Sequence, residues 1–181
     1  KLSGTILSKE KKQELRALKS APAKDKEIKF QLYLMETTGW ENPENKTMVK
    51  YGCTALMGPE ERARALSVNV ARYVVRATLD VFGAGEFDCA GANDDPREAR
   101  KKRFNFLLAC EKWLLVSTID KVGRRQRRNG EYRSYDSLEE AKHSFKTLAK
   151  EAVENVRKIE SEVRNACAAV QAVREAGSPL A

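Results

Sequence analysis

The sequence predicts an all-α protein, an antiparallel up-down bundle of four helices with a long C-terminal helix and an irregular N-terminal arm. Apolar residues recur at three- and four-residue steps over much of the chain beyond residue 59, which is typical of amphipathic helices. The 10 Gly, the 5 Pro and the 7% of aromatic residues argue against an all-β sandwich. At 181 residues the chain has the length of one domain with a sizeable core. We divide it into an N-terminal arm and docking segment, 1–58, and a helical bundle, 59–181.

The arm gives weak structural signals. Residues 8–20 favour a short helix that ends before Pro22, because proline disfavours the helical conformation in the residue that precedes it. Residues 28–35 alternate partly between apolar and polar side chains and fit either a short strand or a buried helical turn. Residues 37–58 contain several Gly, Pro and Asn residues and are predicted to form a loop.

The first bundle helix is predicted over 59–83. Pro59 suits the first helical position, and the two acidic residues after it favour the positive end of the helix dipole. Its apolar residues at helical spacing are Ala63, Leu66, Val70, Val74, Ala77 and Val81. Gly83 and Gly85 are expected to end it.

The second bundle helix is predicted over 96–123. Asp95 can cap it, Pro96 fits its first turn, and Glu98 stands three residues after the cap, where a capping box places an acid. Gly123 marks its expected end.

The third bundle helix is predicted over 137–176. Ser137 and Glu140 form a capping box, and Gly177 stops the helix. Its apolar stripe is Leu138, Ala141, Phe145, Leu148, Ala152, Val156, Ile159, Val163, Ala166, Val170 and Val173. About 40 residues rising 1.5 Å each give roughly 60 Å, so the last turns should project from a compact bundle or dock on another surface.

Two clusters of basic residues are the candidate partner-binding sites. The chain has 34 Lys and Arg against 26 Asp and Glu, a net charge of +8. The first cluster is Arg97, Arg100, Lys101, Lys102 and Arg103, and the second is Arg124, Arg125, Arg127, Arg128 and Arg133. Such runs repel themselves and therefore usually meet solvent or an anionic partner.

Three interpretations of these clusters stay open. They could be solvated helix ends, docking surfaces for an acidic protein, or a site for nucleic acid or anionic lipid. In the nucleic-acid interpretation, Tyr132 and Tyr135 would stack on bases. If the run Arg124–Arg128 contacts an acidic surface, replacing its four arginines by Gln should weaken assembly without unfolding the protein.

The sequence gives little support for catalytic activity or for metal binding. His143 is the only histidine, and the sequence contains no CxxC pair, phosphate-binding glycine loop or hydrolase motif. We therefore expect no enzyme activity, no metal and no cofactor. The four cysteines could form two disulfides in an oxidising compartment or stay buried as thiols; they are Cys53, Cys89, Cys110 and Cys167. No stretch approaches 18 consecutive apolar residues, so no membrane span is expected.

Two elements in the second half resemble a known family. The segment Ser117-Thr118-Ile119-Asp120 closes one helix, and Glu140-Ala141 with Phe145 opens the next. Over about residues 66–156 this order is similar to the PsbQ family, the extrinsic Q proteins of photosystem II. The resemblance implies a basic helical bundle in the thylakoid lumen, peripheral to the membrane, that docks on the photosystem II core and its other extrinsic proteins and stabilises the oxygen-evolving centre.

The functional expectation is therefore a non-catalytic accessory subunit of a large assembly, most specifically a PsbQ-like lumenal subunit of photosystem II. The alternative is a nucleic-acid-binding helical module that uses the Arg124–Arg128 cluster.

Overall fold

A computed structural model of the chain describes residues 9–20, 28–38, 45–67, 71–82, 95–121 and 130–176. Within these residues the fold is mixed α/β, with one antiparallel four-stranded sheet and four α-helices. The elements are α1 (Lys9–Ser20), β1 (Gln31–Thr38), β2 (Thr47–Thr54), α2 (Pro59–Leu66), β3 (Arg72–Asp80), α3 (Pro96–Ser117), a 3-10 turn (Ile119–Lys121), β4 (Tyr132–Tyr135) and α4 (Leu138–Ala176). The strand order across the sheet is β3-β1-β2-β4.

The predicted all-α bundle is wrong, and the error begins in the N-terminal arm. The segment that we expected to be irregular supplies β1 and β2, the two central strands of the sheet. Both faces of β1 are covered, so Leu32 to Met35 are all buried and the alternation that marks a half-exposed strand is lost. The predicted loop over 37–58 contains the whole of β2.

The predicted helix over 59–83 is also wrong, because it joins a short helix to a strand. Helix α2 ends at Leu66, and β3 begins at Arg72. The pairing of β3 with β1 shifts where Leu34 faces Ala77 and Met35 faces Val75, so that β3 carries one extra residue there. Such a bulge reverses which face the following side chains occupy.

The bulge divides the half-buried residues of β3 between the two faces of the sheet. Tyr73 and Val75, before the bulge, pack on the same face as α2, while Ala77 and Leu79, after it, pack against the main core. The exposure of β3 nevertheless alternates strictly along the chain, with every second residue half-buried, because the half-buried residues before and after the bulge lie on opposite faces. Val74, which we placed in the helical stripe, is 38% exposed.

Helices cover both faces of the sheet. Helices α1, α3 and α4 contribute to the main core on one face, and α2 packs on the other face beside Tyr33 and Met35. The fully buried large residues of the main core include Leu18, Leu32, Leu34, Tyr51, Phe104, Phe106, Leu107, Leu114, Tyr135 and Phe145. Residues from three helices and from the sheet thus belong to one continuous core, and α2 closes a smaller one.

A close approach on the α2 face requires glycine at position 52. A Cβ built on Gly52 would lie 2.3 Å from the hydroxyl oxygen of Tyr33 and 2.4 Å from its Cζ. The ring of Tyr33 therefore lies directly across the backbone of β2, and any larger residue would displace a buried tyrosine.

The other predicted helices are present in the fold. Helix α1 matches the short helix over 8–20, and the segment at 28–35, left between strand and helix, contributes to β1. Helix α3 begins at Pro96, where the Asp95 carboxylate accepts a hydrogen bond from the Arg97 amide at 3.0 Å. It ends at Ser117, before the expected end at 123, and a 3-10 turn follows. Within the described residues, no helix is both long and apolar enough to cross a membrane.

Helix α4 starts with the predicted cap. The Ser137 hydroxyl accepts a hydrogen bond from the Glu140 amide at 3.1 Å, and the Glu140 carboxylate reaches back to the amide of Asp136 at 3.0 Å. The reciprocal contact thus goes one residue further back than in a standard capping box. The helix runs to Ala176, as the apolar stripe predicts.

Candidate functional site

The first basic cluster lies on the opening two turns of α3, beside the carboxyl end of α1. The two helices are antiparallel: Lys11 near the start of α1 pairs with Glu111 in the second half of α3, and Arg100 near the start of α3 donates to the carbonyl of Leu18 at 3.3 Å. The five residues of the cluster are therefore brought together on one rigid element, as their sequence proximity predicts.

The cluster is graded in exposure. Arg97 and Lys102 are exposed, whereas Arg100, Lys101 and Arg103 are half-buried. Lys101 pairs with Glu98 at 3.1 Å, the single acidic side chain of that stretch. The neighbouring helix α1 carries three further exposed basic residues, Lys9, Lys12 and Arg16.

The position of the cluster, at the N-terminus of a helix, is electrostatically unfavourable. Unpaired amide groups give a helix N-terminus a partial positive charge, so basic side chains are disfavoured in the first turns. Asp95 and Glu98 offset the dipole, yet Arg97 lies in the same first turn and four more cations follow in the second turn. The dipole and the side chains therefore add to one region of positive potential, which an anionic partner would stabilise.

Most of the second cluster lies outside the described residues, namely Arg124, Arg125, Arg127 and Arg128. Arg133 is described and is 1% exposed, so it is not presented at the surface. Its Nε donates to the Thr118 hydroxyl at 2.7 Å, and its terminal nitrogens donate to the carbonyls of Leu115, Gly130 and Tyr132. Burial lowers the pKa of Arg133. The hydrogen bonds of the Arg133 guanidinium thus connect β4 to the end of α3.

The two tyrosines that we expected to stack on bases are engaged inside the fold. Tyr135 is 1% exposed, and its hydroxyl lies 2.6 Å from the hydroxyl of Tyr51. The Tyr132 hydroxyl lies 2.7 Å from that of Tyr73, and Lys50 sits 5.1 Å above the Tyr132 ring. Burial and the hydrogen bond to Tyr73 raise the pKa of Tyr132. Neither ring forms an open stacking platform in this arrangement.

The described cysteines carry free thiols. Cys53 and Cys110 are buried, Cys167 is exposed on α4, and Cys89 lies outside the described residues. Burial raises the pKa of Cys110 to about 12. The buried surroundings of Cys110 are the reverse of the electropositive, partly exposed setting that activates a nucleophilic cysteine.

Sequence reasoning missed a polar cluster beneath α1. The Lys11 ammonium lies 2.8 Å from the Cys53 sulfur and 3.0 Å from a Glu111 oxygen. Burial works against the charge of Lys11, but the Glu111 carboxylate and the hydrogen bond to the Cys53 sulfur favour the ammonium form, so the pKa of Lys11 is raised. Burial raises the pKa of Cys53 well above its usual value, so the thiol stays protonated at neutral pH.

This cluster is a structural link between elements rather than a reactive centre. At neutral pH a protonated amine and a protonated thiol supply neither a base nor a nucleophile. Glu14 extends the link, because its carboxylate accepts the Ala55 amide at 2.8 Å and so ties α1 to the end of β2. The bonded residues are 41 to 100 positions apart, so no local sequence pattern could have predicted these contacts.

The described residues hold no group of three or more His, Cys, Asp or Glu side chains that could bind a metal ion. His143 is exposed on α4. No family model, no curated protein and no solved structure matches the chain.

Proposed function

We propose that this protein is a non-catalytic accessory subunit that docks on an acidic protein surface through the basic cluster at the start of α3. The observation that carries the proposal is the concentration of five cations in the first two turns of α3, with Arg97 in the first turn, where the helix dipole adds to the positive potential. That arrangement disfavours the isolated helix, whereas an acidic partner would be attracted by both the side-chain charges and the dipole.

A protein partner is favoured over nucleic acid by the state of the two tyrosines. Tyr135 is buried and Tyr132 is bonded to Tyr73, so the aromatic surface that single-stranded nucleic acid would use is not beside the charge. The exposed members Arg97 and Lys102 suit the polar rim of a protein interface, where charge guides association.

Photosystem II is the specific partner that the PsbQ resemblance implies. The bundle fold that the resemblance implies is not the fold of this chain. The proposal therefore rests on the basic cluster at the start of α3. Photosystem II is one partner that the experiment below could identify.

The test is a reconstitution. The native protein is isolated at low salt with and without nuclease treatment, and the complex that migrates with it is identified. The complex that survives nuclease is then stripped by a salt wash. Recombinant protein should rebind the stripped complex at low salt, and binding should weaken as salt rises, because the Debye length falls from about 10 Å at 0.1 M to about 3 Å at 1 M.

Two variants of equal charge locate the docking surface. Arg97→Glu with Lys102→Glu should abolish rebinding, while Lys112→Glu with Lys150→Glu, exposed positions away from the start of α3, should leave it within about twofold of the unaltered protein. If both variants lost rebinding equally, the change in net charge alone would explain the loss, and the proposal would be wrong. Isolation as a nuclease-sensitive complex would favour the nucleic-acid alternative.

A further inference from the structure

The second half of α4 stands away from the folded body. Residues 161–175 are exposed on every side of the helix, whereas the first half of α4 contributes Ala141, Phe145, Ala149 and Ala152 to the core. Fifteen residues at 1.5 Å each give a projecting rod of about 22 Å. An isolated helix of this length is marginal in water, so a rod that forms with an apolar face suggests a partner.

One apolar seam runs through both halves of the helix. From Ala149 onward the apolar positions alternate strictly between steps of three and four residues, the a and d positions of a heptad repeat. Positions a are Ala149, Val156, Val163 and Val170, and positions d are Ala152, Ile159, Ala166 and Val173. The seam is buried as far as Val156 and then emerges, with Ile159 54%, Val163 56% and Val173 72% exposed.

We propose that the projecting half of α4 pairs with the same segment of a second copy of this chain as a short antiparallel two-stranded coiled coil. The geometry points to the register in which Val163 faces Val173 of the second copy. The overlap then runs from position 160 to position 176, which is the length of helix that the body leaves exposed.

Charge complementarity selects a second copy. In an antiparallel pair, e positions face e positions across the seam. In this register Glu160 faces Arg174 of the second copy, and the twofold axis repeats the contact, so both ends of the interface carry an opposite-charge pair. Among the g positions, Ala169 meets its own symmetry mate and Glu162 faces position 176, an alanine, so no repulsion is added.

The seam side chains of the two copies are also complementary in size. The register pairs Val163 with Val173 at the two ends and Ala166 with Val170 in the middle, so that small and large side chains alternate across the seam. Cys167 occupies the central e position and meets its own symmetry mate, which brings two exposed thiols together.

Other arrangements are less suited to the shape and charges. Sliding the second helix one heptad inward would require the buried Val156 as a seam partner, which the body already covers. In a parallel pair, position 160 would face Asn155 and position 174 would face Ala169, so neither charge would be matched, and both bodies would crowd at one end.

Charge reversal provides the test, read by sedimentation equilibrium of the 181-residue chain from low to high micromolar concentration. The unaltered protein should show a weak monomer–dimer equilibrium, because the seam is short and its side chains are small. Glu160→Arg alone or Arg174→Glu alone should weaken dimerisation roughly tenfold, since two attractive pairs become repulsive. The double variant should regain it.

Mixing the two single variants is the sharper measurement. In the mixed dimer, the arginine introduced at position 160 of one chain faces the glutamate introduced at position 174 of the other. The unaltered Arg174 of the first chain then faces the unaltered Glu160 of the second, so heterodimers should form where neither protein alone dimerises well. A short bismaleimide should join the unaltered chains through Cys167, and Cys167→Ser should abolish the product.

Circular dichroism of each variant controls for folding. A strictly monomeric unaltered protein across this concentration range would overturn the proposal. A dimer whose strength ignores both charge reversals, or one that shows no recovery on mixing, would place the interface elsewhere and overturn it as well.

Discussion

Helix α4 repeats the same heptad pattern in two different environments. Ala152 and Ala166 are both d positions of one seam, yet Ala152 is 0% exposed while Ala166 is exposed. In the first half, α3 and the sheet cover the seam; in the second half, nothing in the described part of the chain does. The comparison teaches that a hydrophobic period reports a face that needs covering, whereas the three-dimensional path of the chain decides what covers it.

The strongest way to test the comparison is to place the same charge at both positions. Ala152→Asp buries a carboxylate in the core and should destabilise the protein by several kcal/mol, enough to prevent folding. Ala166→Asp should change the free energy of unfolding by no more than about 0.5 kcal/mol, since the site is exposed in the monomer. Urea unfolding at low protein concentration measures both.

Similar losses for the two substitutions would show that the projecting half is packed against the body. At high concentration, Ala166→Asp should in addition abolish the proposed dimer, because it introduces a charge into a central seam layer.

The reactivity of the cysteine thiols gives a second comparison between the folded body and the projecting half of α4. Burial raises the pKa of Cys110 to about 12, so at pH 8 this thiol is almost entirely protonated. Cys167, on the exposed half of α4, should react with a maleimide under native conditions, while Cys53 and Cys110 should react only after unfolding.

The measurement is peptide mapping by mass spectrometry after a brief label, with Cys89→Ser as background. Rapid native labelling of Cys110 would mean that the α3–α4 interface opens readily and that the contrast between the two regions is smaller than described.

Truncation should give the smallest effect. Ending the chain after Glu160 removes only exposed helix from the described residues, so the free energy of unfolding of the dilute protein should change by no more than about 0.5 kcal/mol. Thermal melts followed by circular dichroism measure this. A fall of several degrees would assign residues 161–181 a role in holding the body together.

The sequence predicted best where local signals and long amphipathic stripes agreed. Helix α3 and helix α4 begin at the caps at Asp95 and Ser137, and α4 extends to Ala176 as the seam predicts. These features are stabilised by contacts between near neighbours, which a sequence pattern records directly.

Prediction was wrong where burial on both faces removed the strand period, or where apolar residues of a strand also fitted a helical spacing. Strand β1 is buried on both faces from Leu32 to Met35, and β3 changes face at the residue inserted opposite Leu34 and Met35. In β1, burial on both faces removes the alternation on which strand prediction depends. Strand β3 keeps its alternation, but Val74 and Ala77 within it and Val81 just after it also fit steps of three and four residues.

The basic cluster on α3 was likewise predictable. The burial of Arg133 and Tyr135 was not, because both residues lie on β4, which pairs with β2 far away in the chain.

The sequence by itself determined where α3 begins, the extent of α4, the basic cluster after Asp95 and the uninterrupted seam of α4, since each arises from residues within a few positions of one another. Only the tertiary structure decided that residues 31–54 form the centre of a sheet, that Lys11 meets Cys53 and Glu111, and that the seam emerges after Val156. These outcomes depend on contacts between residues far apart in the chain, whose free energy no local pattern encodes.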